Sequence, residues 1–138
     1  VIEFVVIGLP APQGSKRFVG HANSGRGVLV ESCKAVKPWR EAVKYAAMEH
    51  VQRKISGPVV VSMTFTLPKP KSAPKKRTLP DRKPDLSKLV RSSEDAISEI
   101  GLWEDDARIT TCLACKLYVG DPLALPAPGA LIRIAEAR

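Results

Sequence analysis

The chain is expected to fold as an α+β domain in which a mixed β-sheet packs with two main helices. Three observations predict this: runs of β-branched residues, two stretches with apolar residues at helical spacing, and the turn signals that separate them. The order reads strand, helix, strand, helix, strand, strand, which suits a sheet with both parallel and antiparallel neighbours. No internal repeat or composition break divides the 138 residues, so one domain over 1–138 is expected.

Residues 1–8 are rich in Val and Ile and read as a strand. The segment 9–14, with Pro10 and Pro12, breaks it and opens a loop. Residues 14–27 are polar, and 27–30 could form a short strand. Pro38 marks a helix start, because proline is tolerated in the first turn. Trp39, Val43, Ala46, Ala47, His50 and Val51 recur at helical spacing, so the helix should run to about Lys54. Gly57-Pro58 separates it from a strand at 59–67. Residues 69–83 read as a loop too basic and too proline-rich to pack. A second helix begins near Pro84 or Asp85, with Leu86, Leu89, Val90, Ser93, Ile97 and Ile100 on one face, and Gly101 ends it. Strands at 107–119 and 130–135, joined by a proline-rich turn at 122–128, complete the set.

Composition narrows the partners. The net charge is +8, which favours a polyanion, and nucleic acid is the commonest one. No stretch reaches the roughly 18 apolar residues of a membrane span, so no membrane role is expected. Cys33, Cys112 and Cys115 are too few for a disulfide framework. With no basic leader or cleavage site in residues 1–9, a reducing, cytoplasmic setting is expected.

The charges are segregated. Lys69, Lys71, Lys75, Lys76, Arg77, Arg82 and Lys83 face a single acid, Asp81, in the loop. Residues 92–107 hold Glu94, Asp95, Glu99, Glu104, Asp105 and Asp106 and no Lys or Arg. Carboxylates would repel the phosphates that the basic loop attracts, unless they hold a hard cation. Mg²⁺ takes one or two carboxylates plus water and substrate phosphate, and it suits hydrolysis of a phosphodiester. At about 100° per residue, Asp85, Lys88, Ser92 and Asp95 share one stripe of the second helix, away from its apolar face. Ser87 and Arg91, four apart, share another flank. Neighbours on a strand point to opposite faces, so one of Asp105 and Asp106 should face the site. The plain alternative is that Asp85 complements the helix dipole and Asp105-Asp106 is a solvated turn.

Other motifs are weaker signals. Cys112-x-x-Cys115 has zinc-like spacing, but no second pair exists, and the two side chains of a strand three apart face opposite ways. Gly14-Ser15-Lys16 is not a phosphate loop in spacing or order, although Lys16 or Arg17 suits a backbone phosphate. His50, Trp39 and Trp103 read as packing residues, and no Ser/His/Asp set is recognisable.

Two segments carry a resemblance. Lys83-Pro84-Asp85-Leu86-Ser87-Lys88-Leu89-Val90-Arg91 with Glu94-Asp95-Ala96-Ile97 is the first, and Gly101-Leu102-Trp103-Glu104-Asp105-Asp106-Ala107-Arg108-Ile109 is the second. Together they are similar to the signature of the RusA family of Holliday-junction resolvases. The opening 8–17 also looks like that family's first strand and loop. The resemblance implies a RusA-like fold and a homodimeric, Mg²⁺-dependent endonuclease, with Mn²⁺ as the alternative ion. It implies branched DNA, above all the four-way junction, as substrate, in a bacterial or phage-infected cell.

Carried over by position, Asp85, Asp105 and Asp106 match the family's metal-site acids, and Asp95 matches a further acid on the helix. Arg91 stands in place of the family's catalytic Lys, and Arg gives up a proton poorly. Ser87 stands where the family has a second Asp, and a hydroxyl is a poorer Mg²⁺ ligand. Lys88, one position along from the family's Asn, offers a mobile cation. The expected catalytic set is therefore Asp85, Asp105, Asp106, Arg91 and Ser87. The expected DNA contacts are Lys16, Arg17, Lys75, Lys76, Arg77, Arg82, Lys83 and Lys88. A non-catalytic branched-DNA-binding protein of the same fold is the alternative that Ser87 favours.

Overall fold

A computed structural model describes residues 1–14, 16–21, 27–31 and 34–137, with the backbone alone of 16–21 and 27–31. A four-stranded sheet runs in the order β1-β6-β4-β5, from β1 (Ile2–Ile7), β4 (Val59–Leu67), β5 (Ile109–Tyr118) and β6 (Gly129–Glu136). A separate ribbon pairs β2 (Lys16–His21) with β3 (Gly27–Glu31). Helix α1 spans Val36–Met48 and α2 spans Leu86–Glu99. β6 is antiparallel to both β1 and β4, and β5 is parallel to β4. Parallel neighbours need a long crossover, and the basic loop with α2 provides it. The expected mixed sheet with two helices is borne out.

Strand register explains why one face is apolar. Phe4, Ile132, Met63 and Ala114 form one cross-strand row, and Val6, Ala130, Phe65 and Lys116 form the next. Trp39, Val43 and Ala47 from α1 and Leu89, Ala96 and Ile97 from α2 close over these rows. Each fully buried large side chain of this layer contributes about 1.5–3 kcal/mol relative to exposure. The polar edge of Trp39 is satisfied as well: its Nε1 donates to Ser93 Oγ at 3.1 Å, tying α1 to α2. Gly129 is required where β6 meets β1, because a Cβ there would lie 2.1 Å from the Val6 carbonyl oxygen. Gly101, at φ +78°, ends α2 in the left-handed conformation the sequence implied.

Four expectations need correction. β2 was not foreseen, since a polar stretch without alternation gives no strand signal. Helix α1 stops at Met48 and continues only as a 3-10 turn, Val51–Arg53. There His50 leaves the helix to stack on Phe4, with ring centroids 5.6 Å apart. The basic loop does pack in part: Pro80 is buried, and Lys116 Nζ donates to the Arg82 and Pro84 carbonyls at 2.7 Å each. Ser92 belongs to the buried face of α2, not the outward stripe, with its hydroxyl donating to Ala11 O at 2.7 Å.

Cys112 and Cys115 are both exposed on β5, and register puts Cys112 on the helix-covered face and Cys115 on the other. The readings placed on Ser15 and Cys33, and on the side chains of Lys16 and Arg17, lie outside the described residues. Among the described residues, no helix is long and apolar enough to cross a membrane.

Candidate active site

Helix α2 organises the charged residues, and it does so as a gradient. Asp85 immediately precedes the helix in an extended conformation, and its carboxylate makes no cap hydrogen bond to the first turn. It lies instead 3.9 Å from Lys88 Nζ. Ser87 is exposed on the first turn. The basic loop ends here, with Arg82 and Lys83 exposed and Arg82 paired to Asp81 at 2.9 Å. Lys75 and Lys76 are exposed, while Arg77 reaches toward Asp81 at 3.7 Å.

The acids gather at the other end. Asp106 opens a 3-10 turn, Asp106–Arg108, that leads into β5. Its Oδ1 accepts hydrogen bonds from Ser98 Oγ and, at 3.2 Å, from Trp103 Nε1. Ser98 lies one turn beyond Asp95 on α2, so Asp106 is brought against the Asp95 carboxylate, within hydrogen-bonding reach. Asp105 faces away: it is exposed, and its side chain caps the turn by accepting from Ala107 N at 2.9 Å. The two adjacent acids are thus set apart by the 3-10 turn, Asp106 toward Ser98 and Trp103 and Asp105 on the turn itself.

The cluster is short of positive charge. Burial, then the negative charges of Asp106 and Asp95, push the Glu94 carboxyl up to about 7, against the opposing pull of Arg91. Asp95 is raised by burial and then by Asp106, with Arg40 and Arg91 opposing. Partial desolvation on the helix-covered face, with Glu94 behind it, also raises the thiol of the otherwise exposed Cys112. Carboxylates crowded together without a matching cation resist ionisation, and a divalent ion relieves that cost.

Among the described residues no group of three or more His, Cys, Asp or Glu forms that could hold a metal ion. The Asp95–Asp106 pair still fits Mg²⁺, whose usual protein ligands are one or two carboxylates, the remaining positions going to water and phosphate. Asp85 is not part of this pair. Thirteen residues of helical rise, roughly 20 Å, separate it from Ser98, where Asp106 is anchored. One ion cannot span two carboxylates of a single chain at that distance.

A protein-family model described as endodeoxyribonuclease RusA matches residues 8–124. The chain belongs to the RusA family. The match takes in the loop after β1, the basic loop, all of α2 and the Asp105-Asp106 turn, so every described charged residue of the site lies inside it. A RusA-family chain is an endodeoxyribonuclease by family, and its +8 charge accords with DNA as partner. The chain is also similar to a Bacillus subtilis (strain 168) protein named "Uncharacterized protein YqaN". They are 28% identical over 132 residues, covering 88% of this chain and 90% of that one.

Asp95 and Glu94, which interact electrostatically with Asp106, stand in the sequence only as a further acid of the helix and as a member of the acidic block. The signal was present in the spacing, since Asp95 and Ser98 lie one turn apart and the Trp103-x-x-Asp106 interval returns the chain to them.

Proposed function

We propose that this RusA-family chain is a Mg²⁺-dependent, structure-selective DNA endonuclease that resolves four-way (Holliday) junctions by paired strand cuts, in the cytoplasm of a bacterial or phage-infected cell. The observation that carries it is the Asp95–Asp106 carboxylate pair, poor in compensating charge, set where the Asp106 turn meets the C-terminal half of the helix that follows the strongly basic loop. Mg²⁺, with Mn²⁺ as substitute, would supply water activation and neutralise charge on the phosphate.

The chain's own residues have separate tasks in this reading. Asp95 and Asp106 hold the ion, Glu94 lies beside them, and Asp105 fixes the turn that presents Asp106. Arg91, exposed and near enough to lower the Glu94 and Asp95 carboxyls, steadies charge on the phosphate but cannot act as general acid. Lys75, Lys76, Arg77, Arg82, Lys83 and Lys88, with Lys16 and Arg17, engage backbone phosphates. The family pattern assigns Asp85 to the same ion as Asp106. Given the length of α2, that assignment holds only if Asp85 comes from a second copy, so the site is completed across a twofold homodimer. A twofold also sets two such sites on opposing strands of the junction.

The experiment is cleavage of a labelled synthetic four-way junction, with and without Mg²⁺, by the wild type, Asp85→Asn and Asp106→Asn. Paired cuts near the branch, present only with metal and lost in both variants, are expected. Ser87, a hydroxyl at a carboxylate position, favours a second reading: a branched-DNA-binding protein without catalysis. Tight junction binding with no cutting in Mg²⁺ or Mn²⁺ would establish that reading instead.

A further inference from the structure

A cavity of about 600 Å³ lies between the loop after β1, the basic loop and the start of α2. Its walls are largely proline rings, Pro10, Pro12, Pro68, Pro70, Pro80 and Pro84. Leu9, Leu67 and Tyr118 add further apolar surface. Arg82, Lys83 and Lys88 also line it, and Asp85 stands among them. The walls are held in place: Gln13 N donates to Lys88 O at 3.0 Å, and Ser92 Oγ to Ala11 O at 2.7 Å. Lys116 Nζ fixes the loop end through the Arg82 and Pro84 carbonyls. Proline rings have little freedom to lose, so the cavity is pre-formed in the manner of a ligand site.

Its chemistry does not suit a phosphodiester, which carries full charge and keeps its water. A group that is apolar on its faces, flat, and tethered to phosphates suits it better, and in DNA that group is a nucleobase. Bases inside duplex arms are stacked and paired. A nucleotide at a branch leaves its stack at lower cost. We propose that this cavity receives one unstacked nucleobase of the branched substrate, while Arg82, Lys83 and Lys88 hold the phosphates on either side. The inference rests on the junction-nuclease reading above and adds to it a reason for branch selectivity: linear duplex has no base to offer.

Binding can be measured with four-way junctions that carry an abasic nucleotide at each branch position in turn. For the wild type, removing the base at one position should weaken binding about tenfold, toward the low end of what stacking one base contributes. Ala35 lines the cavity and is exposed, so Ala35→Trp fills the space without entering the core. That variant should bind the intact junction about tenfold more weakly, hold linear duplex as the wild type does, and not distinguish intact from abasic junctions. 2-Aminopurine at the sensitive position should brighten with wild type and stay dim with Ala35→Trp. If every abasic placement leaves wild-type binding unchanged or tighter, or if Ala35→Trp discriminates as the wild type does, the cavity does not hold a base. A wild type with no preference for junctions over linear duplex would instead sink the junction reading itself.

Discussion

Trp103 Nε1 donates to Asp106 Oδ1 at 3.2 Å, so a fully buried indole aims the carboxylate that meets Asp95. Groups behind a ligand fix its direction, and losing one typically costs 10–100-fold in metal affinity or activity. Trp103→Phe keeps most of the packing and removes the donor. Its half-saturating Mg²⁺ concentration should rise by about that factor, with a folded circular-dichroism spectrum and unchanged junction affinity in EDTA. Unchanged metal dependence would mean that Trp103 serves packing alone.

Much of this arrangement was legible in the sequence, and the gaps have physical causes. β4 and α2 stood out because a buried strand and a one-sided helix each impose a period on their apolar residues. Ser92 was misplaced because a small hydroxyl on the buried face satisfies itself locally, with Leu89 O at 3.0 Å, as well as on the distant Ala11. β2 was invisible because its ribbon with β3 lies apart from the four-stranded sheet whose alternation reveals strands. The separation of Asp85 from Ser98 follows from helix length alone. Where the returning chain meets α2, however, is a tertiary fact, fixed by Ser98 and Trp103.

Acid–base behaviour should report the same cluster. Glu94 has an ordinary value of 4.5 and a folded value of about 7, and Asp95 is raised as well. A carboxyl with a raised folded pKa binds its proton more tightly when folded. Its stabilising contribution is complete below the ordinary value and is lost as pH rises through about 7. Without metal, Tm should therefore fall from pH 5 to pH 8, and Glu94→Gln should flatten that fall. Mg²⁺ should raise Tm more at pH 8 than at pH 5.5. A Glu94→Gln profile parallel to the wild type would remove Glu94 as the source.

The basic loop makes a prediction in salt. Lys75 and Lys76 are exposed and Arg77 is only loosely engaged by Asp81, so all three can reach phosphates. Each phosphate contact contributes about −0.9 to the slope of log affinity against log salt on duplex DNA. Replacing all three by Ala should make that slope shallower by about 2–3 while leaving the cut positions unchanged. A slope identical to the wild type would place the loop off the DNA.

Completion of the site across a twofold has a test that single variants cannot give. Asp85→Asn and Asp106→Asn homodimers should each be inactive, with cleavage reduced more than the roughly 100-fold of a supporting residue. In a mixed dimer the two substitutions fall together in one site, leaving the other with Asp85 from one protomer and Asp106 from its partner intact. Co-refolded mixtures should therefore regain cleavage of one strand but not the paired cut, read as nicked rather than linear product on a cruciform plasmid. If both acids of a site came from the same chain, each site of the mixed dimer would lack one, and the mixture would stay as inactive as its parents. The roughly 20 Å of α2 between the two positions is the reason to expect the first result.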